Sequence, residues 1–404
     1  ADYYVDRAPA LSPAGATHLG DHRHDCELDD VSPQARAARA AFSREMLARL
    51  GAIDRGSLSR AHQVDAALLD NRLRAEVWHI EELREWTWNP MAYTGLAGGS
   101  VYGLMARDFA PLPQRLLAAA ARMEQLPRMF DQARSAIEPA RVPKIHAETA
   151  VKQNRGLTAL IENLVRPHAA ALRAADRARL ERAMKTAAAA ARKHQKWLEG
   201  KVLPAARGDW RLGAKLFDRK LAFALQSSLS RPALRKMAAE QLAAVRAEMY
   251  DLAERVYMSE HPHTKLPRRP DAAWRQAIIR ACLEMACRQQ PDVTRLVEIA
   301  QAQLDRLTDF VRRGRVVTVQ PDPVRVIEMP EFRRGQTLAY CDAPGPLDAG
   351  QRTFYAIAPP PADWSAEQVR SLLREYNTRS LENLTVHEAM PGHYLQASHS
   401  VRYP

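Results

Sequence analysis

The chain has 404 residues, of which 46% are hydrophobic and only 6% aromatic, and its formal net charge is +12. This length allows two or three domains or one extended helical body. Ala, Leu and Arg dominate, and they favour helices because their side chains lose little freedom there. Arg is spread beside Asp and Glu along stretches such as AALRAADRARLERAMK, residues 170–185. We therefore expect a solvated helix surface and no specific nucleic-acid partner.

The cysteines and the hydropathy exclude several further classes of protein. Cys26, Cys282, Cys287 and Cys341 form no C-x-x-C pair, which argues against a zinc ribbon, a thioredoxin-type motif or a disulfide framework. No apolar run is long enough for a membrane span. The chain begins at Ala1, which fits either a processed mature terminus or a trimmed chain, and we favour a periplasmic or secreted location over a cytoplasmic one. The sequence does not indicate the oligomeric state.

Helical spacing of apolar residues predicts a series of long helices over the first three quarters of the chain. The first covers residues 32–50, with Ser32 as its cap and Pro33 at the first helical position. Further helices are predicted at about 58–87, 112–136, 144–165, 168–199, 230–258, 271–288 and 292–313. Trp88 to Gly103, rich in Gly and aromatics, is predicted to interrupt them, and Ser259 to Asp271 is predicted to be a surface loop.

The pattern becomes β-like between Arg315 and Ala358. Four short strands are predicted, at residues 316–319, 324–329, 337–341 and 353–358, and a last helix begins near Ser365. We therefore predict a mainly α fold with a small β-sheet before its final helix. The predicted domains are a helical domain over residues 1–314 and a sheet with the final helix over residues 315–404.

The final helix carries the motif TVHEAMPGHYLQ, residues 385–396. In the HExxH signature of zinc peptidases, two His lie four residues apart, so that both imidazoles return to one helix face. His387 and His393 lie six residues apart. On a regular helix their directions differ by about 120° and their positions by about 9 Å, too far to share one zinc ion.

Pro391 and Gly392 lie between the two histidines and can deform the helix. A break there would return His393 to the face of His387. On this hypothesis both histidines bind zinc, and Glu388 takes a proton from the bound water. The alternative is a helix that ends at Pro391, with a solvated Glu388 and two ordinary surface histidines.

Other candidate site residues are less distinctive. Tyr340, Arg352 and Tyr355 lie in the β-like region and are candidates for hydrogen bonds to a substrate carbonyl or carboxylate, with packing as the alternative. Beyond His393 no Asp or Glu follows, so that His399 is the only candidate left there for a further metal ligand. The segment HLGDHRHDC, residues 18–26, has closely spaced histidines, which we interpret as structural or solvated.

Four ordered segments give the chain a recognisable overall pattern. They are ATHLGDHRHDCELDDVS at 16–32, GDWRLGAKLF at 208–217, AYCDAPGPLDAGQRTFYAIAPPP at 339–361 and the motif HEAMPGHYLQ. Together they resemble a bacterial family, domain of unknown function 885, which is regarded as related to zinc metallopeptidases. The resemblance covers nearly the whole chain. It implies a zincin-like helical fold, zinc as cofactor, His387 and His393 as ligands and Glu388 as the catalytic base.

The resemblance also implies a feature that this chain does not show. The family continues past the motif to a Glu-Gly-Trp-Ala-like segment, from which a third zinc ligand is expected, whereas this chain ends at Pro404. We therefore expect the C-terminal part of the family domain to be missing here, so that the chain is a fragment or partner half of a longer protein. The alternatives are a third ligand from far upstream or a site that is incomplete and inactive. Two hypotheses follow. One is a zinc-dependent hydrolase of peptide or other amide bonds; the other is a catalytically incomplete helical binding or scaffold protein whose basic surface engages an acidic partner.

Overall fold

Long α-helices form most of the molecule, as predicted, and one small sheet follows them. A computed structural model describes residues 2–348 and 350–402. The helices are α1 Asp2–Arg7, α2 Pro13–Leu19, α3 Pro33–Gly51, α4 Arg60–Trp78, α5 Met91–Met105, α6 Leu112–Ala136, α7 Lys144–Leu160, α8 Ala174–Trp197, α9 Leu203–Ala205, α10 Gly213–Leu225, α11 Arg231–Glu260, α12 Ala272–Cys287, α13 Leu296–Gly314, α14 Ala366–Glu375, α15 Thr378–Glu388 and α16 His393–Ser400. The strands are β1 Val324–Glu328, β2 Ala339–Asp342 and β3 Thr353–Ile357. No helix within these residues is both long and apolar enough to cross a membrane.

Apolar periodicity and capping signals placed many of the helices well. α3 begins at Pro33, and the Ser32 hydroxyl accepts a hydrogen bond from the main-chain N–H of Ala35 at 3.1 Å, so Ser32 is the predicted cap. α6 has the predicted bounds, and the predicted loop between α11 and α12 is present. The helix predicted from residue 168 begins instead at Ala174, and α10 lies where no helix was predicted.

The predicted interruption at Trp88 to Gly103 is wrong, because most of this segment forms the largely buried helix α5. Its glycines allow close packing. A Cβ on Gly98 would lie 2.4 Å from the ring of Phe332, and a Cβ on Gly156 of α7 would lie 2.6 Å from the main-chain nitrogen of Phe332. The buried Phe332 therefore lies against both α5 and α7 where these helices carry no side chain.

The sheet has the strand order β1-β3-β2, with β1 parallel and β2 antiparallel to β3. The strand predicted at residues 316–319 does not form. Val316 and Val317 are exposed there, and no neighbouring strand within the described residues pairs with them. β-branched residues favour a strand only where a pleated surface packs against them, so this part of the pattern was misleading.

One face of the sheet packs against α13, α15 and α16 and forms the apolar core beneath the motif. Its buried members include Leu304, Val326, Tyr355, Leu381 and Met390. Since α13 contributes to this core, the last helix of the predicted N-terminal domain packs with the C-terminal segment. The division of the chain at residue 314 stays a prediction, as does the zincin-like character of the helical body.

The other side of the sheet is tied to the helical body by buried polar contacts. An Nη2 atom of Arg107 lies 3.1 Å from Oδ1 of Asp342, and both side chains are buried. The Tyr102 hydroxyl donates to Oδ2 of the same carboxylate at 3.1 Å. The N-terminal motif also reaches this region, since His22 lies between the carboxylates of Asp25 and Asp348, at 3.0 and 3.1 Å. The two carboxylates give His22 a structural environment, one of the two alternatives, structural or solvated, that the sequence analysis gave for this segment.

The two neighbouring glycines of α5 provide a test of this packing. We expect Gly98→Ala to lower the free energy of unfolding by about 1–3 kcal/mol, because the new methyl group overlaps the buried Phe332 ring. Gly99→Ala is the matched control: its Cβ would meet only Nη2 of Arg333, at 3.9 Å. We expect it to stabilise the helix by up to about 1 kcal/mol. Urea unfolding of both variants measures the difference, and equal effects would contradict the assigned role of Phe332.

Candidate metal centre

The helix that carries the motif is fixed at its start and along its buried face. The side chain of Asn377 accepts hydrogen bonds from the N–H groups of Arg379 and Ser380, at 3.1 and 3.2 Å, and so caps α15. The single helix predicted from near Ser365 is thereby divided in two, with Ser365 capping only α14. A separate polar cluster holds the far end of α15 in place.

That cluster is entirely buried. The Thr385 hydroxyl lies 3.0 Å from Oε1 of Gln303 on α13 and 3.3 Å from the hydroxyl of Tyr355 on β3. Buried polar groups that satisfy one another fix the relative positions of the elements that carry them. The last turn of α15, which contains His387 and Glu388, therefore has a defined position over the sheet.

The helix then breaks within the motif. α15 ends at Glu388, the Met390–Pro391 peptide bond is cis, and a second helix, α16, begins at His393. Gly392 has a negative φ of −77°, so a left-handed backbone does not explain this glycine. Its requirement is steric: a Cβ there would lie 1.9 Å from the carbonyl oxygen of His387. Only a residue without a side chain lets the backbone pass this close to the end of α15.

The break brings the two histidines together. The ring centroids of His387 and His393 are 4.7 Å apart, with the rings almost perpendicular. One potential ligand atom from each of His387, Glu388 and His393 lies within 4.8 Å of the others, and within the described residues this is the only such group of three. The imidazoles are exposed and the carboxylate is buried. Two imidazoles and a carboxylate are donor types that zinc accepts, so the group fits this ion chemically.

The charge of Glu388 affects the pKa of two groups on the sheet. Burial raises the pKa of the Cys341 thiol to about 12, and the Glu388 carboxylate adds to that shift. Burial likewise raises the pKa of the Tyr355 hydroxyl, with a smaller contribution from Glu388. Cys341 and Tyr355 are directly paired across β2 and β3. Local sequence patterns did not predict that Cys341 lies near Glu388, because its position follows from this strand register.

The three predicted substrate contacts lie on different faces of the sheet. Tyr355 lies on the face of the motif, fully buried beside Thr385. Tyr340 pairs with Ala356 and packs on the opposite face, where burial raises the pKa of its hydroxyl to about 12. Arg352 is exposed one residue before β3. The structure therefore brings only Tyr355 near Glu388, and the substrate roles of all three stay predictions.

His399 forms hydrogen bonds outside the motif. Its Nε2 lies 2.8 Å from the carbonyl oxygen of Thr318, and its Nδ1 lies 3.4 Å from the side-chain amide of Gln320. Both ring nitrogens thus have partners other than the motif. His399 instead lines, with Val317 and Pro391, an open groove of about 530 Å³ next to the helix break.

The outer edge of β2 passes the candidate site. The N–H of Ala358 donates to the carbonyl of Leu338 at 2.7 Å, so the even-numbered residues of this stretch bond to β3. Main-chain groups alternate in direction along an antiparallel strand. The N–H and C=O of Cys341 therefore point away from β3, at the free edge of β2, which pairs with no other strand within the described residues. The Cys341 side chain lies on the face near Glu388.

Comparisons with known proteins show the family to which the chain belongs. The chain matches the family model "Bacterial protein of unknown function (DUF885)" over residues 13–403. A solved structure of a candidate lipoprotein of unknown function from Shewanella oneidensis is 30% identical, with a TM-score of 0.73 over 100% of this chain and 72% of that chain. A candidate lipoprotein from Colwellia psychrerythraea has 15% identity and a TM-score of 0.62, over 97% of this chain and 71% of that chain, and shows the fold alone. No curated protein matches the chain. The chain belongs to the bacterial family of proteins of unknown function DUF885, as its four sequence segments predict.

Proposed function

We propose that the chain is a zinc-dependent hydrolase of peptide or other amide bonds, in which His387 and His393 hold the metal and Glu388 is the general base. One observation carries this proposal: the helix break gathers a ligand atom from each of the three side chains within 4.8 Å. Zinc in such a site supplies a Lewis acid that activates water and polarises a carbonyl group.

The exposed histidines and the buried carboxylate have different proposed roles. The exposed imidazoles of His387 and His393 are open to an ion arriving from solvent. The buried Glu388 carboxylate lies beside them, where it can accept a proton from water and return it to the leaving amine. Thr385, one turn before Glu388, is hydrogen-bonded to α13 and β3. These bonds fix the position of the Glu388 carboxylate relative to the two histidines.

Catalytic zinc sites usually contain three protein ligands. With Glu388 as the base, the described residues supply two, and both nitrogens of His399 are bonded elsewhere. The proposal therefore requires a third ligand from outside these residues. A chain that binds no metal would instead correspond to the binding or scaffold hypothesis, which no particular contact favours.

The free edge of β2 supports an extended peptide as the substrate. A strand added to this edge would pair with the outward N–H and C=O of Cys341, whose side chain lies near Glu388. Such pairing would hold a peptide bond beside the base without requiring a particular side chain. A small amide would lack these main-chain contacts.

We infer an extracytoplasmic location as part of the same proposal. The 30%-identical protein from Shewanella oneidensis is described as a candidate lipoprotein, a class whose members are attached to a membrane by lipid. Labelling of intact cells with a membrane-impermeant reagent tests it.

Metal binding by this chain can be measured directly. We expect the purified chain to contain about one zinc ion, since its two proposed histidine ligands, His387 and His393, already lie together and are exposed to solvent. His393→Ala should lose it, whereas the matched control His399→Ala should keep it, because His399 bonds to Thr318 and Gln320. Elemental analysis after dialysis measures both. Equal metal contents in the two variants would reject His393 as a ligand.

The role of Glu388 is tested separately from metal binding. We expect Glu388→Gln to keep its zinc and to lower hydrolysis of a fluorogenic peptide mixture by about 10²–10⁴-fold, the usual contribution of a general base. The substitution preserves size but removes proton acceptance. A variant that retains wild-type activity would show that another group is the base.

Proline at position 341 tests the β2 edge. Cys341→Pro replaces the thiol side chain and removes the outward N–H, but it removes none of the N–H groups that bond to β3. We expect KM for the best-cleaved peptide to rise about two- to tenfold with kcat little changed, as for one lost hydrogen bond. Cys341→Ala keeps the N–H and should retain the original KM. If both variants behave alike, peptide pairing at this edge is excluded.

A further inference from the structure

A stripe of exposed apolar side chains runs along α11, far from the motif in sequence. This helix has 30 residues, yet only Tyr250 and Ala253 are buried, where α12 packs against it. The exposed fractions of Leu242, Val245, Leu252 and Val256 lie between 47% and 56%. Exposed apolar side chains that follow one another along a helix face form a candidate interaction surface.

The spacing of the exposed apolar residues indicates which kind of partner fits the stripe. With the half-buried Met249, the positions 242, 245, 249, 252 and 256 alternate three- and four-residue steps. These are the a and d positions of a heptad, the pattern of a seam that accepts another helix of the same period. The seam is about 21 Å long. It is a narrow line of side chains, which fits a helix better than a flat membrane surface.

The charged residues beside the stripe are self-complementary, because those of one copy can pair with those of a second copy. Glu248 and Arg255 both occupy g positions of this heptad. Neither forms an ion pair within the described residues, and the guanidinium of Arg255 only donates to the carbonyl of Asp251. Consider two such helices that run antiparallel, with Met249 of one opposite Leu252 of the other. In this register Glu248 lies opposite Arg255 of the other helix. The two-fold symmetry of the pair repeats this contact, so it occurs twice.

We propose that two copies of this chain associate through the α11 stripe as an antiparallel helix pair. The apolar seam supplies the contact, and the two Glu248–Arg255 pairs set the direction and register. This inference does not depend on the proposed hydrolase function. The formal charge of +12 on each copy opposes association, so the apolar seam must supply most of the binding free energy.

Sedimentation velocity of the full chain over a range of concentrations tests the association. We expect a dimer that Leu252→Glu converts to a monomer, with unchanged helical circular dichroism. Leu68→Glu on α4 is the matched control, because Leu68 is 48% exposed but lies outside the stripe, and it should remain dimeric. A monomeric wild-type chain would overturn the proposal and mean that another molecule or segment covers the stripe. A dimer that survives Leu252→Glu would place the interface elsewhere.

Charge reversal tests the direction. Glu248→Arg alone and Arg255→Glu alone should each weaken the dimer about tenfold, because two attractive pairs become repulsive. The double variant should restore the wild-type dissociation constant. In a parallel pair Glu248 would face Ala253 of the other helix, so Glu248→Arg would have little effect and the double variant would not be restored. That result would overturn the antiparallel arrangement.

Discussion

The candidate site depends on the close approach between the backbone at Gly392 and the carbonyl of His387. A Cβ at residue 392 would lie 1.9 Å from that oxygen, so the turn between α15 and α16 exists only without a side chain there. Pro391, which lacks an N–H, prevents the first helix from continuing. The steric requirement of one residue thus determines where the second imidazole lies. A motif that looks too widely spaced for one metal becomes compact because the two histidines belong to different helices.

The turn keeps the two histidines together only because the surrounding elements fix the positions of its two ends. α15 is bonded through Thr385 to α13 and to β3, and the sheet is bonded through Asp342 to Arg107 and Tyr102 of the helical body. Phe332 lies against α5 and α7 at positions occupied by glycine. These buried contacts link the motif to elements that are distant in sequence, and their geometry is fixed by packing rather than by local preference.

Much of this arrangement could be predicted from local patterns. Apolar periodicity gave the bounds of α6, capping chemistry gave the start of α3, and the Pro391–Gly392 pair predicted a break that joins the histidines. Prediction failed where a local signal depends on tertiary partners. Glycine usually marks loops, yet Gly98 lies within α5, where it accommodates Phe332. The valines at 316–317 pair with no strand among the described residues. The opposite faces of Tyr340 and Tyr355, and the position of Cys341, depend on a strand register that no single segment encodes.

The placement of the histidines on two helices has a consequence for metal affinity. Coordination by both would close a chain loop of only a few residues, and the entropy cost of closing a loop is small when its ends are already held together. Here the loop is packed: Ala389 and Met390 are buried, and Gly392 is in steric contact with the helix before it. Little ordering therefore remains to oppose binding. For the proposed site, zinc capture by the two histidines would therefore require little rearrangement of the chain between them, and the main ordering left would be that of the third ligand.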